Sequence, residues 1–458
     1  MPQPQPATQF KDQRVKNFQE VSLGFAKRVA LEESRRCPQC SDATCLPGCP
    51  LEIDIPGFIR LLREGDINAA LNKIKEQNPF PSICGRLCSA PCETSCVFEP
   101  ENAPIGIRAL ERYAADHGKV KSLKGKTKLS STVKKVGIIG SGPAGLTAAY
   151  ELAARGYRVK IFESMPLAGG ILRYGIPEFR LPAKVLQAEI KELGALGVEI
   201  ETNCRLGQTL LVDHLFAQGF LAVLLAFGAA KPKFCDIPGS NLGGVFYAEE
   251  ILMYNNLLKF GLFSKPFLPA NFGSRVVVIG NGHAALDCAR ACSRWGKDVT
   301  LVFENTEEEM AVYGRERELG KEERVRLQGL TRVVEIIPDD ERSPRFVRGI
   351  QCGHMDFADP DSSGKWQLME APDSEFVREA DTVVLALGKT PSSVVNRMVA
   401  DLKLNPNGTI WVNPENGLTS RPKIFAAGDV VTCAGSMVQA MASGKKAARH
   451  IDKFLKER

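Results

Sequence analysis

Two copies of one glycine turn decide most of what this chain can fold into. In the first copy, Val136 to Ile139 reads as a buried strand, Gly140-Ser141-Gly142-Pro143-Ala144-Gly145 as the turn, and an alanine-rich stretch to Arg155 as a helix. A second strand, Tyr157 to Phe162, ends in Glu163. The second copy runs through the strand Arg275 to Ile279, the turn Gly280-Asn281-Gly282-His283-Ala284-Ala285, a helix to Trp295, and the strand Asp298 to Phe303, which ends in Glu304. The first glycine and the acid lie 23 residues apart in one copy and 24 in the other. Glycines let the backbone approach a pyrophosphate, the helix N-terminus stabilises its charge, and the acid accepts ribose hydroxyls. Ala285 replaces the third glycine, a variant this fingerprint tolerates. A glycine pattern alone says little, but strand, turn, helix, strand and acid in sequence, twice, predict two dinucleotide sites in an α/β protein.

Ahead of both turns lies a different kind of chemistry. Eight of the fourteen cysteines fall in the first hundred residues, as Cys37-x2-Cys40-x4-Cys45-x3-Cys49-Pro50 and Cys84-x3-Cys88-x3-Cys92-x3-Cys96. Thiolates at such short spacing can wrap a metal centre without a large fold to position them. Disulfides, structural zinc and iron–sulfur clusters are the alternatives. Two clusters fit best, because a proline follows Cys49 as it follows the last cysteine of bacterial ferredoxin runs. In two-cluster ferredoxins that cysteine serves the other cluster, so the two groups here can exchange ligands.

The intervening pattern is helical. Phe18, Val21, Phe25 and Val29 recur at helical spacing and predict a helix from Phe18 to Glu33. Residues 1 to about 12 read as a mobile tail. Ile55 to Gln77 reads as two amphipathic helices broken at Gly65-Asp66, Ile105 to His117 as another, and Lys119 to Lys135 as a basic linker. Late in the chain, Lys423 to Ala427 is a strand ending in Gly428-Asp429, followed by a helix from Ser436 to Phe454. Ala222 to Gly228 and Asp381 to Gly388 read as strands crossing between domains. The expected organisation is a helical iron–sulfur domain over 1–130, one nucleotide domain over 131–235 and 376–458, and a second nested inside it over 236–375.

A net charge of +6, from 59 basic and 53 acidic residues, is weak for 458 residues and implies no nucleic-acid partner. No run of eighteen apolar residues is present, so no membrane insertion is expected. The proline-rich start, Met1-Pro2-Gln3-Pro4, lacks the apolar core of a secretory signal. Clustered cysteines without an export signal point to a cytoplasmic protein.

The chain resembles the small (β) subunit family of glutamate synthase. That family's relatives include the large subunit of electron-bifurcating NADH-dependent ferredoxin:NADP oxidoreductase and the N-terminal half of dihydropyrimidine dehydrogenase. The resemblance runs from Asn17-Phe18 to the last helix, and rests on the cysteine-rich region, on Gly169-Gly170-Ile-Leu-Arg173-Tyr-Gly-Ile-Pro-Glu-Phe-Arg-Leu-Pro182, and on Gly428-Asp429. It implies a helical 4Fe–4S domain followed by two nested Rossmann-like domains. It also implies that FAD sits at Gly140, Gly142, Pro143, Ala144 and Gly145, with Glu163 on its ribose. Gly170, Arg173, Gly228 and Asp429 would complete that site, and Ser436-Met437 would face the flavin. A nicotinamide nucleotide would lie at Gly280, Gly282, His283, Ala284, Ala285, Glu304 and Gly388. The same resemblance divides the cysteines: Cys37, Cys40, Cys45 and Cys96 hold one cluster, and Cys49, Cys88, Cys92 and Glu111 the other. Cys84 is left free.

One departure concerns the nucleotide. NADP-using relatives carry arginines after the second strand of the nicotinamide domain, whereas this chain reads Glu304-Asn-Thr-Glu307-Glu308-Glu309. A carboxylate suits a free 2′-hydroxyl and repels a phosphate, so NADH is expected over NADPH, with Arg315 and Arg317 the residues that could reverse this. The cofactors carry the chemistry, and no catalytic side chain is nominated. The implied order is nicotinamide, FAD, cluster, cluster and a partner. That partner would be the large subunit of glutamate synthase or, alternatively, a ferredoxin-reductase-like subunit or a hydrogenase. A zinc-stabilised nucleotide-binding scaffold is the alternative from another class. Cys288 and Cys292, four apart on a helix, read as core residues rather than a redox pair. The charges from Glu307 to Arg326 read as a solvated helix face.

Overall fold

The computed structural model describes residues 3–101, 103–120, 133–229, 231–259, 269, 272–339, 343–358, 366–391, 395–433 and 435–457. Most of the expected basic linker, 121–132, lies outside them.

Two five-stranded parallel sheets organise the chain. In the first, the strands run in the order Ile424–Ala426, Phe220–Leu225, Lys135–Ile139, Arg158–Phe162, Glu199–Glu201. In the second, the order is Val325–Gln328, Asp298–Val302, Arg275–Ile279, Thr382–Leu385, Val245–Tyr247. Both central strands are apolar runs buried on each face, as parallel sheets covered by helices require. The strand Thr382–Leu385 belongs to the second sheet, so the nested unit extends beyond residue 375, to about 388, and the boundary expected at 376 is corrected. The physical reason is register: Val383 and Val384 pair with Val277 and Val278, and their side chains fill that unit's core. A short antiparallel pair, Lys231–Pro232 with Lys389–Thr390, ties together the two crossings between the units.

The second unit also carries an antiparallel sheet, Thr331–Asp339, Ser343–Phe357, Leu368–Glu370 and Phe376–Glu379, which the sequence pattern did not announce. Helix Met437–Lys456 packs on helix Pro143–Ala154 so closely that a Cβ at Gly444 would lie 2.1 Å from the Ala144 carbonyl oxygen. The same long helix reaches into the cysteine-rich region, where Lys445 Nζ donates to the carbonyls of Leu51 (2.9 Å) and Gln77 (3.0 Å). One continuous apolar core therefore joins Phe58, Ile59 and Ile83 of that region to Ile138, Leu146 and Met441.

In the cysteine-rich region, helices Ile55–Arg63 and Ile67–Lys75 break at Gly65-Asp66 as expected, and the carboxylates of Asp54 and Asp66 cap them. Helix Ile107–His117 follows the cysteines. The N-terminal segment differs from expectation. Ala7–Thr8 pairs with Ser22–Gly24, and the helix starts only at Lys27. This arm is pinned by Arg14, which is buried against Glu322 and Glu323, and by Arg294, which donates to the carbonyl of Asn17. No helix among the described residues is long and apolar enough to cross a membrane.

Candidate functional site

The first glycine turn follows strand Lys135–Ile139 at the carboxyl edge of the sheet, where parallel α/β proteins bind ligands. Gly140 has φ +103°, and a Cβ there would lie 2.6 Å from the Ala226 carbonyl oxygen. Gly145 is equally constrained, with its Cβ position 2.0 Å from the oxygen of Gly140. Gly142 is the opposite case: nothing lies within 4 Å of its Cβ position, leaving the open approach that a pyrophosphate needs. Pro143 opens the helix behind it, with Ala144 and Gly145 buried.

The expected partners converge on this turn. Glu163 is buried and accepts from the Ser141 amide (3.0 Å), the Ser141 hydroxyl (2.5 Å) and the Met165 amide (2.8 Å). Ser141, which the sequence reading passed over, also accepts from the amide of Gly169 (2.8 Å) and so fixes the Gly169-Gly170 loop against the turn. Gly170 (φ +51°) lies so close that its Cβ would be 2.7 Å from the Gly142 Cα. Arg173 is buried beside it and donates to the carbonyl of Ala168. Next to the turn, where Gly428 packs on Ala144, Asp429 Oδ1 is buried with no hydrogen-bond partner among the described residues, and burial raises its carboxyl above the usual range. An orphaned acceptor at this place fits a hydroxylated ligand portion. Ser436 and Gln439 form a reciprocal cap on the long helix, with Met437 its first residue. Gly228 (φ +73°) borders open space after strand Phe220–Leu225.

The second turn repeats the geometry. A Cβ at Gly280 would sit 2.5 Å from the Ala386 carbonyl oxygen, whereas Gly282 and Gly388 (φ +94°) face open space. His283 begins the helix, followed by Ala284 and the fully buried Ala285. Burial and the nearby Arg180 push His283 down to about 4, so it is neutral at physiological pH. Glu304 lies two residues beyond strand Asp298–Val302 in an exposed position, 3.9 Å from Arg332. Arg315 and Arg317 are engaged with Glu322 and the carbonyl of Glu307. Cys288 and Cys292 are fully buried in the core, as read from their spacing. The expected solvated face is corrected only in part: Glu308, Glu309, Glu318 and Arg324 are exposed, but Glu323 is buried and held by Arg290 (2.7 Å) and Arg294 (2.7 Å), and Glu316 bonds Arg290 (2.8 Å), because the helix His283–Arg294 packs against them.

None of the fourteen cysteines is paired in a disulfide. Cys37, Cys40, Cys45 and Cys96, the set the resemblance assigns to one cluster, are half-buried near one another, and burial with mutual repulsion pushes Cys45 up to about 11. Cys49, Cys88, Cys92 and Glu111 instead line one enclosed cavity with Cys84 and Val438. Burial pushes Cys88 up to about 12 and Glu111 to about 8. Asn78, which no motif announced, donates to Glu111 at 2.6 Å. Among the described residues no three His, Cys, Asp or Glu side chains converge tightly enough for a single ion. Soft donors spaced around a void, their negative charge raised in cost by burial, fit a polynuclear cationic centre.

These features define an FAD- and NAD(P)H-dependent iron–sulfur oxidoreductase. Residues 14–123 match the dihydropyrimidine dehydrogenase domain II, 4Fe-4S cluster family, and residues 134–447 match the pyridine nucleotide-disulphide oxidoreductase family. The chain is 32% identical to the glutamate synthase [NADPH] small chain of Azospirillum brasilense, covering 100% of this chain and 94% of the relative. It is 33% identical to the NADP(+)-dependent formate dehydrogenase subunit beta of Moorella thermoacetica, over 91% of this chain but only 60% of that longer protein. Mycobacterium tuberculosis FprA in complex with NADPH shares the fold, at 19% identity and a TM-score of 0.58, over 71% of this chain and 85% of FprA. The chain belongs to the glutamate synthase small-subunit family.

Proposed function

We propose that this chain oxidises NADH at FAD and delivers the electrons one at a time, through two 4Fe–4S clusters, to a redox partner subunit in the cytoplasm. The observation that carries the reading is the shared core between the first nucleotide unit and the cysteine cavity: Val438, one residue into the long helix, lines that cavity. When bound, FAD accepts a hydride from nicotinamide and releases electrons singly to iron–sulfur centres. The protein's own part is placement. Gly140, Ala144 and Gly145 pack the tight turn from which Gly142 opens toward the flavin pyrophosphate, Glu163 and Asp429 offer acceptors to its hydroxyls, and Gly280 packs the second turn while Gly282 and Gly388 leave room for the nicotinamide nucleotide. Cys49, Cys88, Cys92 and Glu111 would hold the inner cluster, and Cys37, Cys40, Cys45 and Cys96 the outer one.

The outer set supports the exit point. Its cysteines are partly exposed, and the neighbouring Leu46 and Val97 present 40% and 46% of their surface to solvent. Apolar side chains beside an accessible redox centre suit a docking partner. We assign that partner first to a glutamate synthase large subunit, because a relative matched over 94% of its own length is the small chain of that enzyme. A ferredoxin-reductase-like or hydrogenase partner is the second reading, supported by the similarity to a formate dehydrogenase subunit. NADH is favoured although both of these relatives are named for NADP(H), because a carboxylate at Glu304 repels a 2′-phosphate, Arg315 and Arg317 are engaged with Glu322 and the carbonyl of Glu307, and Arg332 faces Glu304 itself.

Anaerobic native purification with mass spectrometry of co-eluting chains tests the partner. A large glutaminase-containing subunit is the expected result. A small ferredoxin-reductase-like or hydrogenase subunit would replace glutamate synthesis with electron bifurcation or hydrogen metabolism.

A further inference from the structure

One side chain of the nicotinamide unit reaches the inner cysteine set. Tyr313, the residue preceding helix Gly314–Glu322, donates its hydroxyl to the carbonyl oxygen of Cys88 at 2.7 Å. The same oxygen accepts from Arg108 Nη1 at 3.1 Å, and the Arg108 guanidinium lies 4.5 Å from the centre of the Tyr313 ring. Cys88 Sγ in turn accepts from the amide of Ala90 at 3.3 Å. On its other side, Tyr313 is joined to the second glycine turn. The Ala311 amide donates to the carbonyl of Asn281 at 3.0 Å, and the His283 ring centre is 5.4 Å from that of Tyr313. A short path therefore runs from the dinucleotide turn, through Ala311 and Tyr313, to the backbone of a cavity cysteine.

We propose that Tyr313 is a positioning residue that couples occupancy of the second dinucleotide site to the reduction potential of the cluster held by Cys88, by fixing where the Arg108 charge sits. The inference rests on Cys88 being a cluster ligand, as read above. A cluster gains negative charge on reduction, so a fixed cation and hydrogen bonds beside a ligand favour the reduced form and raise the potential. Arg108 has two anchors here, the Cys88 carbonyl and the face of Tyr313. The proposed coupling begins where Ala311 bonds the turn: a nucleotide pyrophosphate against the turn's backbone would bias the position of Asn281, and this adjustment would reach Ala311. Tyr313 then transmits the adjustment to Arg108, so the cluster is tuned when nucleotide is present.

The test is an anaerobic EPR-monitored redox titration of the full-length holoprotein, with and without saturating ADP-ribose, which fills the turn but delivers no electrons. Wild type, Tyr313→Phe, Arg108→Gln and Cys88→Ser are compared at matched flavin content. ADP-ribose is expected to move the midpoint of one cluster in wild type. Tyr313→Phe should keep both cluster signals and lose that movement, and Arg108→Gln should lower the midpoint with or without nucleotide. An unmoved midpoint in wild type, an equal shift in Tyr313→Phe, or an unchanged midpoint in Arg108→Gln would overturn the proposal. Cys88→Ser tests the underlying assignment by itself: retention of both cluster signals would remove Cys88 from the ligand set whatever Tyr313 does.

Discussion

A methyl group added at Gly142 would meet no protein atom within 4 Å, whereas one at Gly145 would lie 2.0 Å from the Gly140 oxygen. The two substitutions therefore separate folding from binding. Gly145→Ala should destabilise the first nucleotide unit by about 1–3 kcal/mol, the usual cost of overpacking. Gly142→Ala should leave the apoprotein's thermal midpoint unchanged and weaken FAD retention by roughly tenfold or more, about 1.4 kcal/mol, read as flavin absorbance per chain after dialysis. Equal flavin content in Gly142→Ala and wild type would remove Gly142 from the pyrophosphate approach. Glu304 carries the second prediction at this scale. NADH should exceed NADPH in kcat/KM by about tenfold, and Glu304→Arg should narrow or invert that ratio. Efficient NADPH oxidation by the unaltered chain would overturn the assignment. These positions were legible because backbone chemistry admits few residue types there. Ser141, Asn78 and Tyr313 were not, since each acts through a partner brought near only by the fold.

The helix Met437–Lys456 shows how one element serves two units. Gly444 lets it touch the first nucleotide helix, and the next residue, Lys445, donates to Leu51 and Gln77 of the cysteine region. Lys445→Met would strand those carbonyls, so a loss of about 1–3 kcal/mol is expected in chemical denaturation. No change would mean water replaces the ammonium. The ion pairs that Glu316 makes with Arg290 and the nearby Arg180 give a pH prediction. Arg180 and Arg290 hold the Glu316 carboxyl down to about 2, against 4.5 ordinarily. A depressed carboxylate contributes stability above its unfolded pKa and loses it as pH falls toward the folded value. Wild type should exceed Glu316→Gln in stability most above pH 4.5, with the gap closing as pH approaches 2; a constant gap would contradict this. Periodicity announced the helices of the cysteine region and the paired strands of each turn. It missed the arm, whose apolar residues Phe18 and Val21 pack on Phe179, Ala291 and Leu319 instead of forming a helix face.

At the scale of the whole molecule, nesting follows from two facts about strands. Each parallel sheet takes a strand from the far side of an insertion: Ile424–Ala426 closes the first sheet, and Thr382–Leu385 completes the second. The nesting was readable from repeated strand-to-glycine segments. The exact crossing was not, because Asp381 to Gly388 and Lys423 to Asp429 look alike until pairing assigns each to its sheet. The proposed function places FAD and two iron–sulfur clusters in series on one chain. Counting iron, acid-labile sulfide and FAD in anaerobically purified protein, then adding NADH and recording EPR, tests this arrangement. About eight irons and about eight sulfides per FAD are expected, with reduced-cluster signals on NADH addition. Zinc in place of iron, or about four irons per FAD, would contradict it.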